Sequence, residues 1–293
     1  MFLTAIASSD AVDLGFVELG YLKVIFLGIV QGITELLPIS STAHLRIVPS
    51  LLGWKDPGSV FSAAMQLASL GAVLAYFWQD IKSLVGSSIR AIAHLDFQSK
   101  SLQLTLGLLI GTIPIGLAGL LLKNTLNIPN SPLRSLVVIG CASIFMALLL
   151  AIAELRGKRE RNFEKLTLFD GLWVGIAQAF ALIPGVSRSG STLTAGLFLN
   201  MERETAARFS FLLGLPTIIL AGAIELHALS KAGLDLNGWL ILGAGLSSAS
   251  ISAFLAIFGL LHYLENQSTW LFVWYRLAMG VLLLTGSAMG FLR

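Results

Sequence analysis

The sequence predicts an all-α polytopic membrane protein: six transmembrane helices plus two re-entrant helical hairpins in an inverted-topology repeat. Three observations carry that prediction. The 293 residues are 56% hydrophobic and 12% charged, with a mean hydropathy of +0.84, where soluble domains carry about 25% charged residues. Six segments qualify, or nearly do, as the roughly 20-residue apolar runs that a spanning helix needs. Two further apolar stretches are interrupted by polar and helix-breaking residues, and they resemble each other.

The chain opens with "MFLTAIASSDAVDLGFVELG". This segment has no basic stretch and carries Asp10, Asp13 and Glu18. It reads as a short leading helix or tail rather than a cleaved signal. The six spanning candidates are residues 59–78, 102–122, 133–153, 207–227, 237–262 and 270–291. No charge falls between Lys100 and Lys123, between Arg134 and Glu154, or between Asp235 and Glu265. The lone cysteine, Cys141, lies in an apolar run, so it reads as packing and cannot form an internal disulfide. Net charge is +3 and the positive charges cluster in loops, which is not the basic face that nucleic acid requires. Residues 1–293 form a single integral membrane domain.

The two broken stretches are 24–45, interrupted by Gln31, Glu35 and Pro38, and 171–199, interrupted by Gln178, Pro184, Gly185, Arg188 and Gly190. Each fits a helix that enters the membrane, breaks and turns back, which is tolerated at depth only under cover of protein or a wet cavity. "GIVQGITELLPISS" at 28–41 runs beside "GIAQAFALIPGVS" at 175–187, and "FS" recurs at 61–62 and 209–210. This favours a duplication, with repeat one at about 21–122 and repeat two at about 168–262. Three spanning segments separate the broken stretches. If each stretch leaves by the face it entered, the two enter from opposite faces and meet near the midplane.

Orientation follows the cationic loops. Loop 154–165 carries Arg156, Lys158, Arg159, Arg161 and Lys165, and loop 79–101 carries Lys82, Arg90 and Lys100. Two crossings separate them, so they share a face, which is cytoplasmic. Loops 46–58 and 123–132 then lie outside.

The chemistry gathers at the breaks. Glu35 is the one acid in its stretch, and an ionisable group at membrane depth costs about 2.5–3.5 kcal/mol or more. Its alternative reading is a place at the water interface. After Pro38, residues Ser40, Ser41 and Thr42 can cap a new helix, whose N–H groups form an anion site. His44 follows Ser41 by three residues and shares its helix face, giving a hydroxyl beside an imidazole. Taken alone, these residues read equally well as caps and an interfacial histidine. In "PGVSRSGST" at 184–192, Gly185 and Gly190 bracket Ser187, Arg188 and Ser189, and Ser191 and Thr192 follow. Such a turn can form an anion nest, and Arg188 supplies a planar fork for phosphate oxygens. The bland alternative is an Arg188–Glu35 pair that serves structure only. Brought together, Glu35, Ser41, His44, Ser187, Arg188 and Thr192 suit phosphoryl transfer. The phosphate-binding candidates also include Gln31, Ser40, Thr42, Gly185 and Ser189. A divalent cation on oxygen ligands, Mg²⁺ or Ca²⁺, is expected at Glu35.

"QGITELLPISSTAHL" at 31–45, "PGVSRSGST" at 184–192 and "FSFLLGLPTI" at 209–218 resemble the undecaprenyl-diphosphate phosphatase family, the bacitracin-resistance phosphatases of bacterial membranes. The resemblance runs over nearly the whole chain. The family's first motif usually has two glutamates four residues apart; here the first position is Gln31 and the second Glu35. Its motif serine and histidine fall on Ser41 and His44, and its arginine on Arg188. The resemblance implies hydrolysis of undecaprenyl diphosphate to the monophosphate and phosphate, which recycles the lipid carrier for peptidoglycan synthesis. It also implies a divalent-metal requirement, a site open to the outer face of the inner membrane, and bacitracin resistance when abundant. The partners expected are the polyprenyl diphosphate lipid and membrane lipids, and a homodimer is left open.

Two other readings compete. Inverted repeats with Gly/Pro-broken helices also mark secondary transporters or lipid flippases, although a carrier of a neutral substrate would not need the Ser/His/Arg/Glu set. Acid-phosphatase-like lipid phosphatases need a histidine six residues after the arginine of an "SR" pair, where this chain has Thr194.

Overall fold

The computed structural model describes residues 14–122, 133, 135–231 and 233–290. No strand forms among them, and the regular elements are helices. In chain order these are α1 (Gly15–Leu36), α2 (Ser41–Leu51), α3 (Ser59–Tyr76), α4 (Trp78–Ala93), α5 (Lys100–Ile110) and α6 (Ile113–Leu121). Then come α7 (Leu136–Arg156), α8 (Leu168–Ala179), α9 (Arg188–Phe198), α10 (Arg203–Lys231), α11 (Leu236–Asn266) and α12 (Trp270–Ala288). The expected outside loop 123–132 falls outside the described residues, as does most of the leading segment; Gly15 onward is helical.

Six helices among the described residues are long and apolar enough to cross a membrane: Gly15–Leu36, Lys100–Leu121, Leu136–Arg156, Arg203–Ala223, Leu236–Asn266 and Trp270–Ala288. The chain is therefore an all-α, multi-pass membrane protein. Five of these fall on spans the sequence predicts, and the sixth predicted span, 59–78, is the helix Ser59–Tyr76. Gly15–Leu36 is long because α1 starts upstream of the broken stretch. It kinks at Gly20 (φ 72°, ψ 175°), and the straight part from Tyr21 to Leu36 is about 24 Å long at 1.5 Å per residue. That falls short of a hydrocarbon core of about 30 Å. The arm Leu168–Leu182 is shorter still.

Both ends of each broken stretch lie at one place. Lys55, just beyond α2, pairs with Glu18 at the start of α1 at 2.5 Å, and the Tyr21 hydroxyl donates to Asn237 near the start of α11 at 3.2 Å. At the second stretch, Arg161 pairs with Asp170 at 2.6 Å. The carbonyl of Asn200, just past α9, accepts from the Glu160 and Arg161 N–H groups at 3.0 Å each.

Thr167 starts α8 with a capping box: its N–H and hydroxyl both donate to Asp170, at 2.6 and 2.8 Å. Glycines let the short arms approach other helices closely. A Cβ on Gly28 or Gly32 would strike the α11 backbone, and one on Gly171 or Gly175 would strike the backbone at Gly107 and Gly111. Thus α1 packs along α11, α8 along α5, and α3 against α10.

Candidate active site at the two helix breaks

Each break is a short unwound turn followed by a new helix. Leu37 leaves α1 in extended backbone, Pro38 follows, and Ser40 sits at φ 73° before α2 begins. Downstream, Phe180–Leu182 tightens into a 3₁₀ turn, Ile183 is extended, and Gly185 (φ 94°) and Ser187 (φ 71°) lead into α9. Ser40 and Ser187 are non-glycine residues at positive φ, a costly conformation that persists where the surroundings hold it. Ser187 also caps its helix, its hydroxyl accepting from the Gly190 N–H at 3.1 Å.

The two breaks meet. Arg188 Nη2 donates to Glu35 Oε1 at 3.2 Å, and both side chains are largely buried. Ser41 donates to Glu35 Oε2 at 2.5 Å, and Gln31 Nε2 donates to the same oxygen at 3.0 Å. Ser189 crosses between the breaks, donating to the Leu37 carbonyl at 2.9 Å and the Glu35 carbonyl at 3.2 Å. A cavity of about 50 Å³ opens here, walled by Glu35, Ser40, Ser41, Thr42, Gly185, Ser187 and Arg188 among others. At about 10–15 Å³ per water-sized group, this suits a single phosphoryl group.

The sequence-predicted residues sort clearly. Those just named face the cavity. Gln31 lies buried beneath Glu35. Ser189 is occupied in bridging the breaks. Thr192 is fully buried, with its hydroxyl on the Arg188 carbonyl at 2.8 Å and on Ser210, so it supports α9 rather than the cavity wall. The expected Ser41–His44 pair does not form. His44 Nδ1 bonds the Ser40 carbonyl at 2.8 Å, and Nε2 bonds the Tyr275 hydroxyl at 2.5 Å. The three-residue spacing predicted a shared face on a regular helix, but Ser41 is the first residue of α2, and the turn at Ser40 carries its hydroxyl to Glu35.

Two residues escaped the sequence reading. Gln66 on α3 walls the same cavity. Arg276 on α12, 1% exposed, reaches the carbonyls of both breaks. A cation inside an apolar segment is the signal that marks it.

The oxygen-ligand set fits a hard divalent cation. It comprises the Glu35 carboxylate, the Ser41 hydroxyl and Gln31 Oε1, which is buried without a hydrogen-bond partner. Among the described residues no group of three His, Cys, Asp or Glu gathers. Most ligands would then come from phosphate oxygens and water, as Mg²⁺ commonly accepts.

Comparison with known proteins identifies the family. The family model for bacitracin resistance protein BacA matches residues 24–282. An undecaprenyl-diphosphatase of Trichormus variabilis is 53% identical over 288 residues, covering 98% of this chain and 90% of that protein. Undecaprenyl-diphosphatase 2 of Mesorhizobium japonicum is 58% identical over 262 residues, covering 89% and 99%. An undecaprenyl-diphosphatase of Synechococcus elongatus is 51% identical over 292 residues, covering 99% of each chain. The chain belongs to the bacitracin resistance protein BacA family.

Proposed function

We propose that this protein hydrolyses undecaprenyl diphosphate to undecaprenyl phosphate and phosphate in the bacterial inner membrane, recycling the lipid carrier for peptidoglycan synthesis and conferring bacitracin resistance. The observation that carries this reading is the meeting of Arg188 and Ser41 on one carboxylate, Glu35, across two helix breaks. Relatives named for this activity over nearly the whole chain support it, and no relative cited above is named as a transporter.

In this reading the diphosphate displaces part of the Arg188–Glu35 contact. Arg188 and the N–H groups at the start of α2 and α9 hold the phosphate oxygens, where charge grows in the transition state. Glu35 accepts the Ser41 proton as Ser41 Oγ bonds the terminal phosphorus. The P–O anhydride bond breaks, and undecaprenyl phosphate leaves with the electron pair. Water then hydrolyses the phosphoserine and releases phosphate. In the simpler alternative, Glu35 directs water at phosphorus without the covalent stage. Mg²⁺ or Ca²⁺, held by Glu35, Ser41 and Gln31, would supply charge neutralisation. His44, with both ring nitrogens engaged, positions the Ser40 turn.

The site is proposed to open to the outer face. The cationic loops 79–101 and 154–165 support that orientation, because the first break returns to the opposite side. The paired packing of α1 on α11 and α8 on α5 supports the inverted duplication of 21–122 and 168–262. Phosphate release from a C55 or C15 diphosphate in detergent, with metal and then with chelator, tests the activity. No release in either condition would refute it.

A further inference from the structure

Two adjacent side chains of α12 reach the site from behind the cavity. Arg276 Nη1 donates to the Pro38 carbonyl at 3.0 Å, and Nη2 donates to the Gly185 and Val186 carbonyls at 2.8 and 3.1 Å. Its Nε reaches the Ser143 carbonyl at 3.4 Å, while the Ser143 hydroxyl donates back to the Arg276 carbonyl at 3.1 Å. No Arg276 ion pair forms among the described residues. Its neighbour Tyr275 bonds His44 Nε2 and stacks on that ring, with centroids 5.6 Å apart and planes 10° apart. His44 in turn holds the Ser40 carbonyl, at the residue where the first break is strained.

A guanidinium without a carboxylate partner is costly to bury at this depth. If filling space were the need, an apolar side chain would do it at lower cost. What the planar fork provides is geometry. Pro38 belongs to the first break, Gly185 and Val186 to the second, and one rigid group fixes all three carbonyls. The Val186 carbonyl and the Ser187 N–H share one planar peptide unit. Pinning that carbonyl therefore sets the plane from which Ser187 departs, one residue before Arg188.

We infer that the Tyr275–Arg276 pair is the positioning device of the site. It holds the two breaks at the spacing that puts Arg188 and Ser41 on Glu35, and it touches no substrate. This inference rests on the phosphatase reading for its kinetic test, and it has a second readout that does not.

The kinetic test uses the purified full chain and a C15 diphosphate. Arg276→Lys keeps the charge but loses the fork. We expect kcat to fall more than thirtyfold with KM within threefold of the parent and the apparent melting temperature within a few degrees. Tyr275→Phe should lower kcat three- to tenfold. A folded Arg276→Lys variant with kcat within twofold of the parent overturns the inference, and so does a loss confined to KM, which would mean direct substrate contact. If Arg276→Lys does not fold, Tyr275→Phe decides, and kcat within twofold of the parent overturns the inference. The second readout is disulfide formation between cysteines placed at Thr42 and Ile183, which line the cavity from the first and the second break, in a Cys141→Ala background. Its rate should change more than threefold on adding Tyr275→Phe or Arg276→Lys. An unchanged rate overturns the inference whether or not the parent releases phosphate.

Discussion

Two buried carboxylates in this molecule are treated in opposite ways. Glu154, 4% exposed at the end of α7, is saturated. Arg203 and Arg159 both pair with it, and Thr269 donates its hydroxyl at 2.8 Å and its N–H at 3.4 Å. These contacts tie neighbouring ends of α7, α10 and α12 together. Glu35, 9% exposed, has one arginine at a longer 3.2 Å. It faces an open cavity beside an amide oxygen that has no partner. A buried charge enclosed on every side holds a fold together. One left with a weak partner and an opening is arranged to exchange that partner for a ligand.

The comparison can be broken most easily at Arg188. Arg188→Ala should lower kcat/KM by about 10³-fold, on the scale of other arginines that stabilise phosphoryl transfer. Arg188→Lys should also lose much of the activity because the fork is gone. Near-normal turnover of detergent-purified variants would place Arg188 with the structural cations. Ser41→Ala should follow, with a loss of about 10²-fold if attack is covalent and no ³²P trapped on the protein. Turnover close to the parent would leave direct water attack. His44→Gln sharpens the same point: as a positioning group it should depress kcat without removing either limb of the pH–rate profile. Loss of a limb would return His44 to acid–base work.

Glu154→Gln should do the reverse of the site variants. Uncovering Arg203 and Arg159 should cost about 3 kcal/mol of stability, read as a lower melting temperature, with activity per folded molecule within about threefold of the parent. The smallest effect is expected at Glu18→Gln. That residue's exposed pair with Lys55 should be worth less than about 1 kcal/mol, and a larger drop would mean that the start of α1 is clamped more firmly than its exposure implies.

Much of this was legible in the sequence, because membrane depth makes polar residues conspicuous. Glu35, Ser41 and Arg188 stand out against apolar runs, and Pro38 and Pro184 mark the breaks. The pairing of Ser41 was not legible. Helical spacing assigns faces only within a regular helix, and the partner was decided by the left-handed turn at Ser40. Arg276 was visible as a charge within "WLFVWYRLAMG". Its role was not, because its partners are backbone carbonyls, which carry no sequence signature. The extent of α1 was hidden as well: Glu18 and Lys23 break the apolar pattern upstream, yet both are helical, one on each side of the Gly20 kink.

The most direct test of the central claim is phosphate release from C15 diphosphate by the purified protein with Mg²⁺ or Ca²⁺, repeated with chelator and with Glu35→Gln and Arg188→Ala. The account predicts metal-dependent release by the parent and near-background release by both variants. Release that persists undiminished in Glu35→Gln would contradict it.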